Sequence, residues 1–163
     1  PNPVWSVSAT TRAKRPNEQD GVNYRFVSEE EFESMRERGE LLESAVYLGN
    51  LYGTPIKPVM KAIDQGKVVI LEIDVQGGVQ VAQKMPTSIR VFILPPTPES
   101  LEARLKGRRT ETAEQLERRL ACSDGEIAFA RDSGYYSHFV VNDILAETVD
   151  EVVSLIDKEL GSG

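Results

Sequence analysis

The chain is poor in cysteine and aromatic residues, and it has no long apolar run. Its one cysteine, Cys122, excludes an internal disulfide and fits a reducing compartment, so we expect a cytoplasmic protein. The longest apolar runs, such as that from Val68 to Leu71, are far too short to span a membrane. Membrane proteins and disulfide-stapled secreted domains are therefore excluded.

Basic residues are outnumbered by acidic ones, 19 against 26, which gives a net charge of −7. This balance argues against a general nucleic-acid binder. Two local basic clusters depart from it: Arg12, Lys14 and Arg15, and then Arg104, Lys106, Arg108 and Arg109. Such clusters on an acidic protein suggest small anionic ligands, although either cluster alone is equally well explained as solvated surface charge.

The sequence also lacks the motif G-x-x-x-x-G-K-[ST], so no loop that could cradle a triphosphate is visible. What the chain does have is an ordinary globular composition, with 40% hydrophobic and 28% charged residues. Its 163 residues suit one domain with a single core, so we predict one domain over residues 1–163.

Hydrophobic periodicity and turn residues predict alternating strands and helices. The predicted strands cover residues 4–8, 23–27, 41–48, 67–73, 89–94 and 139–141. The predicted helices cover residues 28–38, 54–66, 76–84, 97–106, 112–131 and 147–160. The pattern predicts an α/β fold, with a parallel sheet flanked by helices and a small strand-rich lobe inserted between Tyr24 and Tyr52.

Local signals set the predicted ends of these elements. Ser28 with Glu31, and Thr112 with Gln115, have the spacing of capping boxes. Thr54 followed by Pro55 predicts a helix start. Gly49, Asn50 and Gly53 predict a turn after the third strand.

A spaced set of polar residues stands among these signals: Ser8, Arg12, Arg15, Tyr24, Glu43, Tyr52, Thr54 and Asp74. Arg12 and Arg15 follow the end of a predicted strand, where ligands of open parallel sheets bind. The planar guanidinium matches a phosphate, and tyrosine hydroxyls add donors without charge. The set predicts a pocket for a nucleoside monophosphate, although either tyrosine alone is equally well a half-buried strand residue.

Glu43 has a sharper interpretation beside a purine. Guanine presents an N–H and an NH₂ donor on one edge, and a carboxylate accepts from both. Adenine has an acceptor in place of that N–H, so a buried carboxylate would reject it. Ser8, Thr54 and Asp74 could complete this edge, but a strand carboxylate is often solvent-facing, and Asp74 could equally be a helix cap.

These residues, in this order, resemble the guanylate kinase family. The matching stretches are SVSATTRAKR at 6–15, DGVNYRFV at 20–27, GNLYGT at 49–54, LEIDVQG at 71–77, ILPP at 93–96 and VVND at 140–143. The resemblance covers nearly the whole chain, from Ser6 to Leu160. It implies phosphoryl transfer from ATP to GMP, giving ADP and GDP, with Mg²⁺ accompanying ATP.

The resemblance also implies roles for particular residues. The eight polar residues above fall on GMP-binding positions, within and beside a GMP-binding lobe at about 22–54. Arg104, Arg108 and Arg119 fall on catalytic arginines of a helical lid at about 104–119, and Asn142 on an ATP-binding position. Arg109 departs from the family, where glycine is usual.

Family members begin with a strand, a phosphate-binding loop and a helix, all upstream of the match to Val4. We therefore expect the printed chain to be a fragment of a P-loop-type kinase, and expect such a fragment alone to be inactive. The alternative is a scaffold that has lost catalysis and binds a peptide, or only GMP. No general base is conspicuous, and His138 is interpreted as structural.

Overall fold

The computed structural model describes residues 3–107 and 113–161 and shows a mixed α/β fold. It divides into two compact units, one ending at Ser88 and the other beginning at Ile89. None of the helices within the described ranges is long and apolar enough to cross a membrane.

The first unit contains six strands and three helices. They are β1 (Pro3–Trp5), β2 (Ala9–Thr10), β3 (Arg25–Phe26), α1 (Glu29–Glu37), β4 (Leu41–Tyr47), β5 (Asn50–Pro55), α2 (Ile56–Asp64), β6 (Val68–Ile70) and α3 (Val75–Lys84). Strands β1 and β6 pair in parallel. The other four form a mixed sheet in the order β3-β2-β5-β4, in which β4 and β5 make an antiparallel hairpin.

Helix α1 begins where the sequence predicts, since the Ser28 side chain accepts the Glu31 N–H at 3.1 Å. In a full capping box the Glu31 side chain would also accept the backbone N–H of Ser28. Here the Glu31 carboxylate pairs with Arg25 instead, at 2.7 Å. The helix buries Phe32 and Met35 against Ala9 and Leu41 of the mixed sheet. One face of that sheet is thereby covered.

Several predicted boundaries in this unit are wrong, including that of the strand over 67–73, which the structure ends at Ile70. The strand over 4–8 ends at Trp5, because the chain then leaves the parallel pair and Ala9–Thr10 joins the mixed sheet. Gly53 lies inside β5 and not in a turn, since it pairs with Ala9 of β2 and with Ser44 of β4; a Cβ there would lie 2.9 Å from the Glu43 carbonyl oxygen and 3.1 Å from the Phe32 ring. The turn is formed by Leu48 and Gly49, both with positive φ.

The predicted helix start at Thr54 is also wrong. Thr54 and Pro55 are the last residues of β5, and α2 begins at Ile56 without a side-chain cap. The Thr54 hydroxyl is directed across the hairpin instead, where it donates a hydrogen bond to Glu43 on β4.

The second unit contains β7 (Val91–Leu94), α4 (Pro98–Gly107), α5 (Ala113–Asp132), β8 (His138–Val141) and α6 (Leu145–Gly161). Strands β7 and β8 pair in parallel in full register. His138 contacts Glu159 of α6 at 3.4 Å, in keeping with a structural role. The predicted cap at Thr112, together with Arg108 and Arg109, lies outside the described residues.

The α/β prediction, with parallel strand pairs and flanking helices, is confirmed at this level. The boundaries of the lobe at 22–54 and the lid at 104–119 stay predictions.

Candidate functional site

Glu43 is a buried carboxylate in the middle of the β4–β5 hairpin. It is 4% exposed, and its partner in register is Thr54, which is fully buried. The Thr54 hydroxyl donates to Glu43 Oε1 at 2.6 Å. A threonine opposite the carboxylate thus fixes one of its oxygens, while the second oxygen, Oε2, points towards α3 near Gly77.

The pKa of Glu43 is raised above the ordinary glutamate value. Burial is the main cause, because it disfavours the charged form, and the negative charge of Asp74 adds to it. The hydrogen bond from Thr54 acts in the opposite direction, since it stabilises the carboxylate. A raised pKa in a carboxylate held by a hydroxyl is typical of a binding site more than of a solvated strand residue.

The N-terminus of α3 brings Asp74 and Gly77 to this carboxylate. Asp74 Oδ1 accepts the Gly77 N–H at 2.8 Å, so Asp74 is the helix cap that the sequence left open as an alternative. A Cβ at Gly77 would lie 2.6 Å from Glu43 Oε2, closer than real Cβ atoms approach. Glycine is therefore required for Glu43 to keep its position.

Two further α3 side chains hold the backbone of β4, and the sequence analysis missed both. The Gln80 side-chain amide donates to Ser44 O at 2.7 Å and accepts the Ser44 N–H at 3.1 Å. Lys84 Nζ donates to Leu42 O at 2.6 Å. The two residues on either side of Glu43 are thus anchored, and the helical spacing of Gly77, Gln80 and Lys84 is the signal that could have revealed it.

The loop after β2 holds an arginine cluster around a residue that the sequence analysis did not single out. Arg12 makes a two-pronged contact with the Glu18 carboxylate, at 2.7 and 3.0 Å. The Arg15 N–H donates to the same carboxylate at 2.7 Å, while the half-exposed Arg15 guanidinium lies 3.9 Å from it. The pKa of Glu18 is lowered chiefly by the hydrogen bonds from Arg12.

Aromatic rings surround Arg12. Its guanidinium carbon lies 5.3 Å from the Tyr24 ring centre and 5.8 Å from that of Phe26, within cation–π range. Tyr24 also packs edge-on against Tyr52, with ring centres 6.1 Å apart. Burial, and next the negative charge of Glu72, raise the pKa of the Tyr24 hydroxyl, which therefore stays a neutral hydrogen-bond donor.

The mixed sheet joins these two groups on one face. Tyr52 and Thr54 are two residues apart on β5, so their side chains lie on the same side of the sheet as Glu43. Tyr52 in turn contacts Tyr24 and stabilises the charged form of Arg12. A row of polar side chains therefore runs from Glu43 through Thr54 and Tyr52 to Arg12, on the sheet face opposite α1.

Ser8 directly precedes β2, and Arg15 lies in the loop that follows it. The Ser8 carbonyl accepts the Arg25 N–H at 2.9 Å, which ties the chain before β2 to β3. The other predicted residues belong to the second unit. Arg104 donates to Asp143 O at 3.4 Å, Asn142 Oδ1 accepts from Thr148 at 3.4 Å, and Arg119 is a half-buried residue of α5.

The family model for guanylate kinase matches residues 2–159, nearly the whole chain. The chain belongs to the guanylate kinase family. A guanylate kinase of Halalkalibacterium halodurans is 45% identical over 158 residues, which are 97% of this chain and 76% of that protein. One of Gloeobacter violaceus is 48% identical over 155 residues, 95% of this chain and 74% of that protein.

The fold agrees with this membership of the guanylate kinase family. A crystal structure of guanylate kinase from Anaplasma phagocytophilum superposes with a TM-score of 0.77 at 32% identity, covering 97% of this chain and 76% of that one. The predicted family and the predicted kinase class of enzyme are confirmed, and an inactive scaffold is not favoured.

Proposed function

We propose that this guanylate kinase family member transfers a phosphoryl group from ATP to GMP, giving ADP and GDP. The observation that carries the substrate assignment is the buried Glu43, with one oxygen fixed by Thr54 and a raised pKa. Such a carboxylate needs donors to replace its lost water. The adjacent N–H and NH₂ groups of guanine supply two.

Adenine is rejected by the same group, because it would place a ring nitrogen lone pair against the carboxylate. A buried polar group left unpaired costs about 1–3 kcal/mol, which amounts to about a tenfold to hundredfold preference for GMP. Asp74, whose negative charge acts on Glu43 from the start of α3, is proposed to complete the base site together with Ser8.

The phosphate of GMP binds at the Arg12 end of this row of polar side chains. Arg12 and Arg15 supply positive charge, and the hydroxyls of Tyr24 and Tyr52 donate without adding charge. This acceptor phosphate is already ionised near neutral pH, since its second pKa is about 6. Transfer therefore needs positioning and charge neutralisation more than a general base.

Arg104, Arg108 and Arg119 are proposed to neutralise the transferring group, and Asn142 to contact ATP. Among the residues that the structure describes, no cluster of three or more histidine, cysteine, aspartate or glutamate side chains could hold a metal ion. Mg²⁺ would arrive with the ATP substrate, whose phosphates it bridges in kinases.

The test is calorimetry of GMP and AMP with the wild type and with Glu43→Gln. The wild type should prefer GMP, and Glu43→Gln should lose most of that preference. Glu40→Gln is the matched control, because Glu40 lies just before β4 and pairs with Arg38 at 3.1 Å, away from the base pocket. Equal affinity of the wild type for GMP and AMP would contradict the proposal. A coupled ADP-release assay with GMP, ATP and Mg²⁺ measures turnover separately.

A further inference from the structure

Glu18 lies between the two arginines that the proposed function assigns to the phosphate. Its carboxylate accepts hydrogen bonds from both terminal nitrogens of Arg12 and from the backbone N–H of Arg15. The side chains of Arg12 and Glu18 are only 15% and 13% exposed. The contact is therefore shielded from solvent, unlike an ordinary surface ion pair.

Most of the donors of Arg12 are already committed. Guanidinium has five N–H donors in one plane. Nη1 donates to Ala13 O at 2.8 Å and to Glu18, and Nη2 donates to Glu18. This leaves the Nε–H and one Nη2–H for other partners, and the Tyr52 hydroxyl contacts the same guanidinium.

The orientation of the guanidinium plane is fixed from two directions. Glu18 grips one edge, while the rings of Tyr24 and Phe26 lie against Arg12 at 5.3 and 5.8 Å. Holding a charged group in place before its ligand arrives removes an ordering cost from binding. The loop from Arg12 to Arg15 is held by the same carboxylate.

We propose that Glu18 is the positioning residue of the phosphate site: it fixes the Arg12 guanidinium and the Arg15 backbone so that they receive the GMP phosphate. This inference rests on the proposed function. Glu18 acts through the two arginines and does not itself contact the substrate.

A carboxylate beside two arginines could instead act as an internal substitute for the phosphate and compete with it. The Arg15 N–H argues against competition. Because Glu18 closes its own loop through that backbone bond, displacing the carboxylate would break the bond and loosen the segment carrying both arginines. The two roles predict opposite effects of neutralising Glu18.

The experiment is calorimetry of GMP and guanosine with Glu18→Gln. The amide keeps the size of the side chain but loses the charge, and it turns one acceptor into a donor facing Arg12. GMP should bind about tenfold more weakly or worse, while guanosine changes by less than about twofold. Glu31→Gln is the matched control, since it breaks the Arg25–Glu31 pair, also 2.7 Å long, and should leave both affinities unchanged.

A double-mutant cycle separates positioning from general stability. When Arg12 is already replaced by alanine, Glu18→Gln should reduce GMP affinity much less than it does in the wild type, because the guanidinium that Glu18 positions is absent. Glu18→Asp keeps the charge but shortens the side chain, so it should give an intermediate loss of GMP. It also provides the same selectivity measurement should Glu18→Gln fail to fold, as checked by near-UV circular dichroism.

The outcomes are distinct. If the wild type does not prefer GMP to guanosine, the proposed phosphate site itself is wrong. If it does, but folded Glu18→Gln and Glu18→Asp bind GMP as the wild type does, the positioning role is overturned. Tighter GMP binding by Glu18→Gln would likewise overturn it, and would identify Glu18 as a competitor.

Discussion

The Thr54 hydroxyl donates a 2.6 Å hydrogen bond to Glu43 Oε1 between two adjacent strands, where neither side chain has appreciable contact with solvent. The bond aligns the carboxylate within the hairpin. It also offsets part of the cost of burying its charge.

Thr54→Val should therefore weaken guanosine and GMP alike, because it removes a charge-assisted bond of about 1.5–3 kcal/mol while nearly keeping the shape of the side chain. Calorimetry measures both affinities. Thr54→Ser retains the hydroxyl and should restore most of the loss. If Thr54→Val and Thr54→Ser bind guanosine and GMP with the same affinities, the hydroxyl does not orient Glu43.

The raised pKa of Glu43 predicts a pH dependence of base binding. Protonation removes an acceptor, so guanosine affinity should fall as pH falls, with a midpoint above the ordinary glutamate value of 4.5. Guanosine is used because it has no phosphate to titrate. The midpoint should move still higher in Thr54→Val, and the dependence should vanish in Glu43→Gln.

The raised pKa of Glu43 also predicts how the stability of the free protein depends on pH, and the direction is opposite to that of guanosine binding. Folded Glu43 holds its proton to a higher pH than unfolded Glu43 does, so the free energy of unfolding should fall as pH rises between the two pKa values. Urea melts of the wild type and Glu43→Gln measure this slope. A Glu43 contribution that rises with pH over that range would contradict the assignment.

Gly77→Ala should reduce guanosine affinity about tenfold, since its Cβ would lie 2.6 Å from Glu43 Oε2 and the carboxylate must move out of line with the base. The control is Gly125→Ala in α5, where a Cβ meets nothing within 4 Å. That change should stabilise the helix by up to about 1 kcal/mol and leave guanosine binding unchanged. Unchanged guanosine binding in Gly77→Ala would show that Glu43 tolerates displacement.

Arg12→Ala and Arg15→Ala should each weaken GMP far more than guanosine, because each removes a charged contact of about 1.5–3 kcal/mol to the phosphate. Arg25→Ala is the control: it removes an arginine of β3 that pairs with Glu31, and it should change the affinity for neither GMP nor guanosine. Titrations of GMP and guanosine with all three variants provide the comparison. Equal losses for the two ligands would remove the arginines from the phosphate site.

The sequence predicted well those features that depend on neighbours along the chain. Ser28 starts α1 because the cap needs only an N–H three residues away, and Gly39 ends it with φ of 66° because few other residues adopt that conformation. Glu43 and Tyr52 share one face of the sheet, as alternation along paired strands requires, and their role in a nucleotide pocket stays a prediction.

The failures involve partners distant in the chain. The pattern around Gly53 predicts a turn, but the position needs glycine because a Cβ would meet the Glu43 carbonyl oxygen at 2.9 Å and the Phe32 ring at 3.1 Å. Glu18 resembled one more solvated charge in a polar loop, and Gln80 one more polar helix residue. Nothing local shows that Glu18 faces Arg12, or that Gln80 pairs with the backbone of Ser44.

The hydrogen bonds that Gln80 and Lys84 make to the backbone of β4 have a consequence for self-association. In the described part of the chain β4 is the outermost strand of its sheet, and a bare outer strand invites another polypeptide to add to it. An added strand would pair with free backbone groups of β4. Side chains of α3 already bind three of these groups: the Ser44 N–H, the Ser44 carbonyl and the Leu42 carbonyl. The strand that presents Glu43 is thus shielded from amyloid-like stacking without needing a further strand beside it.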